Sequence, residues 1–188
     1  MEKLWPTNGK SLEVWKSGVA EINTRLRSVR STYLPFHYHN GIFQLAEDSL
    51  SQEVIHEPFW EILHHPKWKN VDADMKEAID RRDSGRRDAV LYALKALEST
   101  LKIISNDRGW THGKENGAAN FIDNLVSGKN GRFIAVWESE SLKALFRDIR
   151  NPHGHGPGDL PMPTLTAEQQ RWTIECTMAW IKSLVVRL

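Results

Sequence analysis

The chain of 188 residues has little cysteine, little net charge and no long apolar run. Its one cysteine, Cys176, excludes a disulfide framework within the chain and a zinc site built from several cysteines. A formal net charge of +1 argues against a protein that coats nucleic acid through bulk positive charge, so a nucleic-acid role needs a local site. No apolar run reaches the roughly 20 residues of a membrane span, and the N terminus lacks the apolar stretch of a signal peptide. We therefore expect a protein of the reducing cytoplasm with no membrane partner.

Hydrophobic residues make up 40% of the chain, which is enough to form a packed core. Strand patterns are weak, so we predict an all-α fold. Residues 81–188 are expected to form a bundle of about four helices, and residues 1–80 a helical extension that serves as a dimer arm or a lid. Apolar residues three and four apart predict helices over 11–30, 40–50, 53–65, 72–82, 86–105, 117–126 and 133–150, and a last helix from a capping box at Thr166 and Gln169.

Charge is unevenly distributed along the chain. Residues 1–80 carry 9 basic and 12 acidic side chains, whereas residues 81–150 carry 13 basic and 9 acidic ones. Four arginines cluster around the start of the helix predicted over 86–105, namely Arg81, Arg82, Arg86 and Arg87. Such a cluster is either a solvated surface or a patch that binds phosphates, and both interpretations stay open at this point.

Proline and glycine are most concentrated in Asn151–Gly158, directly after Arg150. We predict a constrained loop there, which holds His153, His155 and the Arg150 guanidinium close together. Imidazole exchanges protons near neutral pH, and guanidinium binds phosphate through a planar fork of donors. Such groups can cleave RNA without a metal, because a base removes the 2′-OH proton while a cation stabilises the charge on the phosphate. The alternative is a loop whose histidines only hydrogen-bond helix ends.

The run Arg150-Asn-Pro-His-Gly-His155 resembles the R-x(4–6)-H signature of the HEPN superfamily (higher eukaryotes and prokaryotes nucleotide-binding domain). In that superfamily the signature lies between the last two helices of an all-α bundle, and a polar residue such as Asn151 commonly follows the arginine. The segment Asp88–Lys102 looks like a helix of abortive-infection-type members, in which small residues pack against an acidic residue and lysines point toward the site. The resemblance covers about residues 86–188.

This resemblance implies a metal-independent endoribonuclease, without a cofactor or bound metal, that acts on RNA in antiphage defence or in toxin–antitoxin growth arrest. Two copies of the signature would form one composite site in a homodimer, and the products would carry a 2′,3′-cyclic phosphate and a 5′-OH. His155 would be the general acid and base, Arg150 the ligand of the phosphate and transition state, and Asn151 an orienting residue. The supporting residues would be His153, Glu98 and Lys102.

Several alternatives accompany this interpretation. Members that a partner nucleotidyltransferase modifies carry a tyrosine two residues after the histidine, and Pro157 at that position argues against this mode of neutralisation by an antitoxin.

A non-catalytic nucleotide- or RNA-binding module that regulates a partner protein is the alternative function, and a purely structural interaction domain is the third.

Other chemistry-bearing side chains are expected to have structural roles. A metal site is disfavoured because no carboxylate or cysteine lies at helical ligand spacing among the histidines His37, His39, His153 and His155. Cys176 is expected to be a core thiol. Core packing is favoured over base stacking for the tryptophans Trp110, Trp137, Trp172 and Trp180.

Overall fold

The computed structural model describes residues 9–28, 36–39, 42–45, 51–154, 159 and 163–188. The chain divides into two compact units, residues 1–54 and residues 55–188. None of the helices in these described ranges is both long and apolar enough to cross a membrane.

The first unit contains one helix and a β-hairpin. Helix α1 spans Gly9–Ser28, and strands β1 (Phe36–His39) and β2 (Ile42–Leu45) pair antiparallel, with Tyr38 opposite Phe43. The side-chain amide of Asn23 in α1 accepts a hydrogen bond from the Tyr38 N–H at 2.7 Å and donates to the Tyr38 carbonyl at 3.1 Å. The helix predicted over 40–50 is therefore wrong for residues 42–45. The sequence signal was Asn-Gly at positions 40 and 41, a dipeptide that favours tight hairpin turns.

The second unit is built from helices. A π-helical turn (Gln52–His56) precedes α2 (Glu57–Ile62), and a 3₁₀ turn (Pro66–Trp68) leads into α3 (Lys69–Asp83). The remaining elements are α4 (Ala89–Asp107), α5 (Ala118–Val126), a 3₁₀ turn (Gly128–Asn130), α6 (Val136–Ala144), a π-helical stretch (Leu145–Arg150), α7 (Asn151–Gly154) and α8 (Ala167–Val185). Helix α6, the π-helical stretch and α7 follow one another without a break, and we call this segment, Val136–Gly154, the helical rod.

Helix α4 lies at the centre of the second unit, where it packs against α3, α5, α8 and the π-helical stretch of the rod. Small alanines on its buried side let the neighbouring helices approach closely, and larger aliphatic residues fill the space between them. The wholly buried apolar positions are Ala89, Ala93, Leu94, Ala96, Leu97, Leu101 and Ile104. The predicted all-α bundle is confirmed here, because α4, α5, the rod and α8 are the four long helical elements described within residues 81–188.

Helix α3 belongs to the bundle, although we expected the extension to reach residue 80. Its apolar face, Val71, Met75 and Ile79, is almost completely buried, and α3 packs along α4. The boundary between the two compact units falls between residues 54 and 55 of the chain. The roles of dimer arm and lid for the extension stay predictions.

Candidate active site

Arg150 is the last residue of the π-helical stretch within the helical rod. The backbone N–H of Asn151 donates to the carbonyl of Phe146, five residues earlier, so the helix is wider here than an α-helix. Pro152 has no backbone N–H, and in an ordinary α-helix its ring would collide with a carbonyl of the preceding turn. The wider turn gives this ring room, and the helix continues to Gly154 where we predicted a loop. Proline was correctly expected to interrupt the regular α-helix, but the result is a π-helical turn instead of a loop.

The guanidinium of Arg150 lies beside α4, where Glu98 and Lys102 are one helical turn apart. The Glu98 carboxylate contacts two cations, because its Oε1 is 2.9 Å from Lys102 Nζ and its Oε2 is 3.6 Å from Arg150 Nη2. The side chain of Glu98 is 14% exposed, whereas those of Lys102 and Arg150 are 47% and 38% exposed. At 3.6 Å the Arg150 contact is an ion pair and exceeds hydrogen-bond length. Glu98 therefore orients the guanidinium, while both cations reach solvent and the three side chains keep a formal charge of +1.

His153 lies one helical turn after Arg150 and is half-buried. Its ring Nδ1 is 2.8 Å from the carbonyl oxygen of Ile149. Since a carbonyl only accepts, Nδ1 carries the proton in this contact, and Nε2 of the neutral ring is then an acceptor. Nε2 is buried, and within the described residues no group hydrogen-bonds it. The structure thus anchors His153 to the rod backbone, as the structural alternative for the loop histidines expected.

The predicted site residues are therefore only partly brought together. Arg150, Glu98 and Lys102 form one cluster, and Asn151 follows Arg150 on the exposed surface of α7. A Cβ built on Gly154 would lie 3.9 Å from Leu91 Cδ2, so the end of the rod lies next to the first half of α4. His155 falls outside the described residues, as does Pro157, and the role of His155 stays a prediction.

The arginine cluster before α4 is partly neutralised by carboxylates. Arg81 is paired with Glu77 at 2.6 Å and with Asp88, and its guanidinium lies 4.3 Å from the ring centroid of Tyr92. The Glu77 hydrogen bond, opposed by burial and supported by Asp88, raises the pKa of Arg81. Arg82 is in turn paired with Asp83 at 2.7 Å. The side chains of Arg81 and Arg82 are only 18% and 9% exposed, so their pairs argue against a phosphate-binding patch in this half of the cluster without making it a solvated surface.

A buried histidine outside the predicted site contacts α8. His56 Nε2 lies 3.7 Å from Glu175 Oε1, and this contact, together with Arg171, holds the pKa of Glu175 below its ordinary value. No spacing pattern in the sequence indicated that His56 and Glu175 would meet. Burial raises the pKa of the neighbouring Cys176, which keeps the thiol protonated and confirms its expected role in packing.

The tryptophans divide into two groups. Trp110 lies with its ring centroid 5.9 Å from that of Phe133, and Trp180 packs against the core, as predicted. Core packing is wrong for Trp137 and Trp172, whose residues are 68% and 59% exposed. Each lies on the solvent side of an amphipathic helix, a placement that helical periodicity around them did not reveal.

Metal-ligating side chains are dispersed through the described ranges. No group of three or more His, Cys, Asp or Glu residues comes together there in a way that could hold a metal ion. In the hairpin, the backbone of His37 is opposite Gln44 and that of His39 is opposite Ile42.

Comparison with known protein families gives a match. A model of the Abi_C family, a HEPN-like domain, matches residues 69–186, well over half of the chain. The matched span runs from the start of α3 to just past the end of α8, and it contains Glu98, Lys102, Arg150 and the position of His155. No curated protein and no solved structure matches the chain.

Proposed function

Because the chain belongs to the HEPN-like domain family, we propose that it is a metal-independent endoribonuclease with Arg150, Asn151 and His155 in its active site. The observation that carries the proposal is the cluster in which Arg150 and Lys102 contact Glu98 at the end of the helical rod. Two half-exposed cations at the same carboxylate form a local anion site in a chain whose net charge is close to zero.

In the proposed reaction, the imidazole of His155 removes the proton of an RNA 2′-OH. The 2′ oxygen attacks the adjacent phosphorus, and the bond from phosphorus to the 5′ oxygen breaks. The leaving oxygen takes a proton from an imidazolium, and the products carry a 2′,3′-cyclic phosphate and a 5′-OH. Arg150 stabilises the charge that develops on the phosphate oxygens, because its planar donors match their geometry. Asn151 orients the backbone or the ribose next to it.

Glu98 and Lys102 have supporting roles in this reaction. Glu98 is more buried than the two cations and fixes the direction of the Arg150 guanidinium, which limits the rotamers that a long side chain would otherwise sample. Lys102 Nζ, held at the same carboxylate, lies 5.7 Å from the ring centroid of Phe121 and offers a second cation for a neighbouring phosphate.

The assembly and setting are part of the proposal. Two copies of the chain in a homodimer would join their Arg150–His155 segments into one site, and one imidazole would act as base while the other acts as acid. Such an activity would arrest growth in the cytoplasm during antiphage defence or as a toxin, restrained by an antitoxin or another partner protein. Toxicity on expression that disappears in His155→Ala would support this role.

The test is RNA cleavage in EDTA by the full chain and its variants. We expect Arg150→Ala and His155→Ala each to lower the rate on a mixed RNA by roughly 100-fold or more, in line with the loss of one group that stabilises the transition state. Arg147→Ala is the matched control, because Arg147 lies on the same rod, loses the same charge and contacts Asp148 at 2.6 Å instead of Glu98. Its rate should stay within about two-fold of the wild type.

Three outcomes would change the proposal. If Arg150→Ala cleaves as well as Arg147→Ala, Arg150 does not act in the reaction. RNA binding without cleavage, abolished by Arg150→Ala, would favour the non-catalytic RNA-binding module. A monomer at concentrations that cleave RNA would contradict the composite site, and sedimentation of the protein under assay conditions measures this directly.

A further inference from the structure

Trp137 is the most exposed aromatic side chain in the described part of the second unit, at 68%, and lies in the first turn of α6. Val136 before it is also exposed, as is Val186 beyond α8. Burying a tryptophan releases more apolar surface from water than burying almost any other side chain. An exposed tryptophan next to an exposed valine is therefore a surface suited to a planar, apolar partner.

The backbone under Trp137 is held in place by its neighbour Glu138. The Glu138 carboxylate is buried, accepts the Ala135 N–H at 2.7 Å, and is bound by Arg187 through Nη2 at 2.6 Å and Nη1 at 3.2 Å. These contacts join the start of α6 to the residues that follow α8. The ring of Trp137 thus projects from a fixed turn, and a ligand that stacks on it does not first have to order the backbone.

Two exposed arginines lie on or beside the segment that leads into α6. Arg132 is five residues before Trp137, and Arg108 lies 6.0 Å from the ring centroid of Phe133. No side-chain carboxylate in the described residues pairs with either guanidinium, in contrast to Arg81, Arg147 and most other arginines of the bundle. Arg108 Nη2 donates one hydrogen bond to the main-chain oxygen of Leu188 at 3.2 Å, and its other donors are left for a ligand. We call Arg108, Arg132 and Trp137 the tryptophan surface.

The backbone of Arg132 is unusual. Its φ of 51° lies in the left-handed region, where glycine or asparagine is favoured, and it directly follows Gly131 at φ 81°. Arg132 adopts this conformation against its backbone preference, and backbone outliers of this kind are common at functional sites.

We propose that the tryptophan surface binds unpaired nucleotides of the RNA substrate, with a base stacked on Trp137 and phosphates contacted by Arg108 and Arg132. The inference rests on the proposed function for its ligand. Exposed aromatic rings beside cations are how proteins hold single-stranded nucleic acid, since every base has a face to stack and every nucleotide has a phosphate. Because no side-chain carboxylate neutralises these two arginines, they favour an anionic ligand over a neutral one.

The surface is separate from the Arg150 cluster. Arg150 is thirteen positions after Trp137 along the rod, a separation of up to about 20 Å along its axis. A nucleotide stacked on Trp137 would therefore be several nucleotides away from the scissile phosphate. Binding there would select longer, unpaired RNA segments, and it would affect KM more than kcat.

The test measures RNA binding with the full chain carrying His155→Ala, so that cleavage does not interfere. Fluorescence anisotropy in EDTA follows a labelled, unstructured RNA of about 12 nucleotides and one of about 3 nucleotides. We expect Trp137→Ala to weaken binding of the longer RNA at least roughly five-fold, Trp137→Phe to weaken it less, and the 3-nucleotide RNA to show no difference. Trp172→Ala is the matched control, because Trp172 is similarly exposed on α8.

Arg132→Gly provides a second, independent variant. Glycine accepts the backbone conformation at this position, so the fold should be retained while the cation is lost. We expect weaker binding and a slope of log affinity against log salt that is smaller by roughly 0.7, as for one lost contact to a single strand.

Equal binding by the Trp137→Ala and Trp172→Ala proteins would overturn the proposal. A loss of self-association in Trp137→Ala, with RNA binding unchanged, would also overturn it and assign the surface to a second copy of the chain. The two proposals fail separately. If neither the wild type nor any variant cleaves RNA, the proposed nuclease function is refuted, but weaker RNA binding by Trp137→Ala still supports the tryptophan surface. If the wild type cleaves RNA and Trp137→Ala binds RNA unchanged, only the tryptophan surface is refuted.

Discussion

Replacing Glu98 with glutamine separates the two effects that this carboxylate has on the proposed site. The substitution keeps the size and most of the polarity of the side chain, but it removes the negative charge that lies 2.9 Å from Lys102 and 3.6 Å from Arg150. If the carboxylate orients Arg150, its loss slows the reaction. If the carboxylate also competes with phosphate for the two cations, its loss strengthens substrate binding.

The size of each effect follows from the geometry. Two unit charges at the Arg150–Glu98 separation interact by about 1 kcal/mol in a water-like dielectric, and the half-exposed cations place the cluster near that limit. A phosphate should therefore bind Glu98→Gln about five-fold more tightly. A guanidinium that is no longer held in one direction should at the same time lower kcat by roughly ten-fold or more. The combined expectation is a lower KM together with a lower kcat.

Initial rates on a single-stranded RNA in EDTA measure both constants, and binding to the His155→Ala protein checks the affinity directly. Glu140→Gln is the matched control, since Glu140 is exposed on α6 and loses the same charge away from Arg150. A KM that rises in Glu98→Gln, or values of kcat and KM that equal those of the control, would refute this account of the cluster.

Two further predictions concern stability and protonation. Arg187→Ala should lower the free energy of unfolding by about 2 kcal/mol and the Tm by about 4–8 °C. The expected loss is smaller than for a fully buried ion pair because Arg187 is partly exposed. Arg187 holds the pKa of Glu138 below its ordinary value, so the stability that the pair contributes is complete above the pKa of the unfolded state and is lost as pH falls through the lower pKa of the folded state. Thermal unfolding at several pH values should therefore show the Tm difference between wild type and Arg187→Ala shrinking in acid. A Tm difference that does not change with pH would contradict this prediction. The N–H of His112 and other donors lower the pKa of Glu115 to about 2, so an NMR titration of its carboxyl should have its midpoint there, and a midpoint near 4.5 would contradict the loop contacts.

Helix positions were largely predictable from the sequence because they depend on local spacing. The apolar stripe of α4 and the apolar face of α3 are visible as residues three and four apart, and both are buried as expected. The start of α8 is predictable for the same local reason. Thr166 Oγ1 accepts the Gln169 N–H at 3.2 Å, and the Gln169 side chain accepts the Thr166 N–H at 2.9 Å.

The errors lie where a local signal has more than one structural solution. Proline after Asn151 predicts an interruption of the regular helix. Both a loop and a widened helical turn accommodate Pro152, which has no backbone N–H to donate. Helical periodicity likewise favoured a helix across residues 42–45, where pairing with residues 36–39 gives a strand. For Trp137 the sequence shows a large apolar side chain but does not show whether that side chain faces the core or the solvent. Only the packing of α6 against its neighbours decides that the ring is exposed.

By itself, the sequence determined the helical class of the bundle, the residue types of the Arg150–His155 signature and the resemblance that the family match confirmed. Only the tertiary structure decided that Arg150 meets Glu98 and Lys102, that His153 Nδ1 contacts the Ile149 carbonyl, and that the described helix extends to Gly154. The physical reason is the range of the interactions involved. Backbone hydrogen bonds and apolar spacing act within one or two helical turns, whereas the charges of the cluster are distant in sequence and meet because the rod packs against α4.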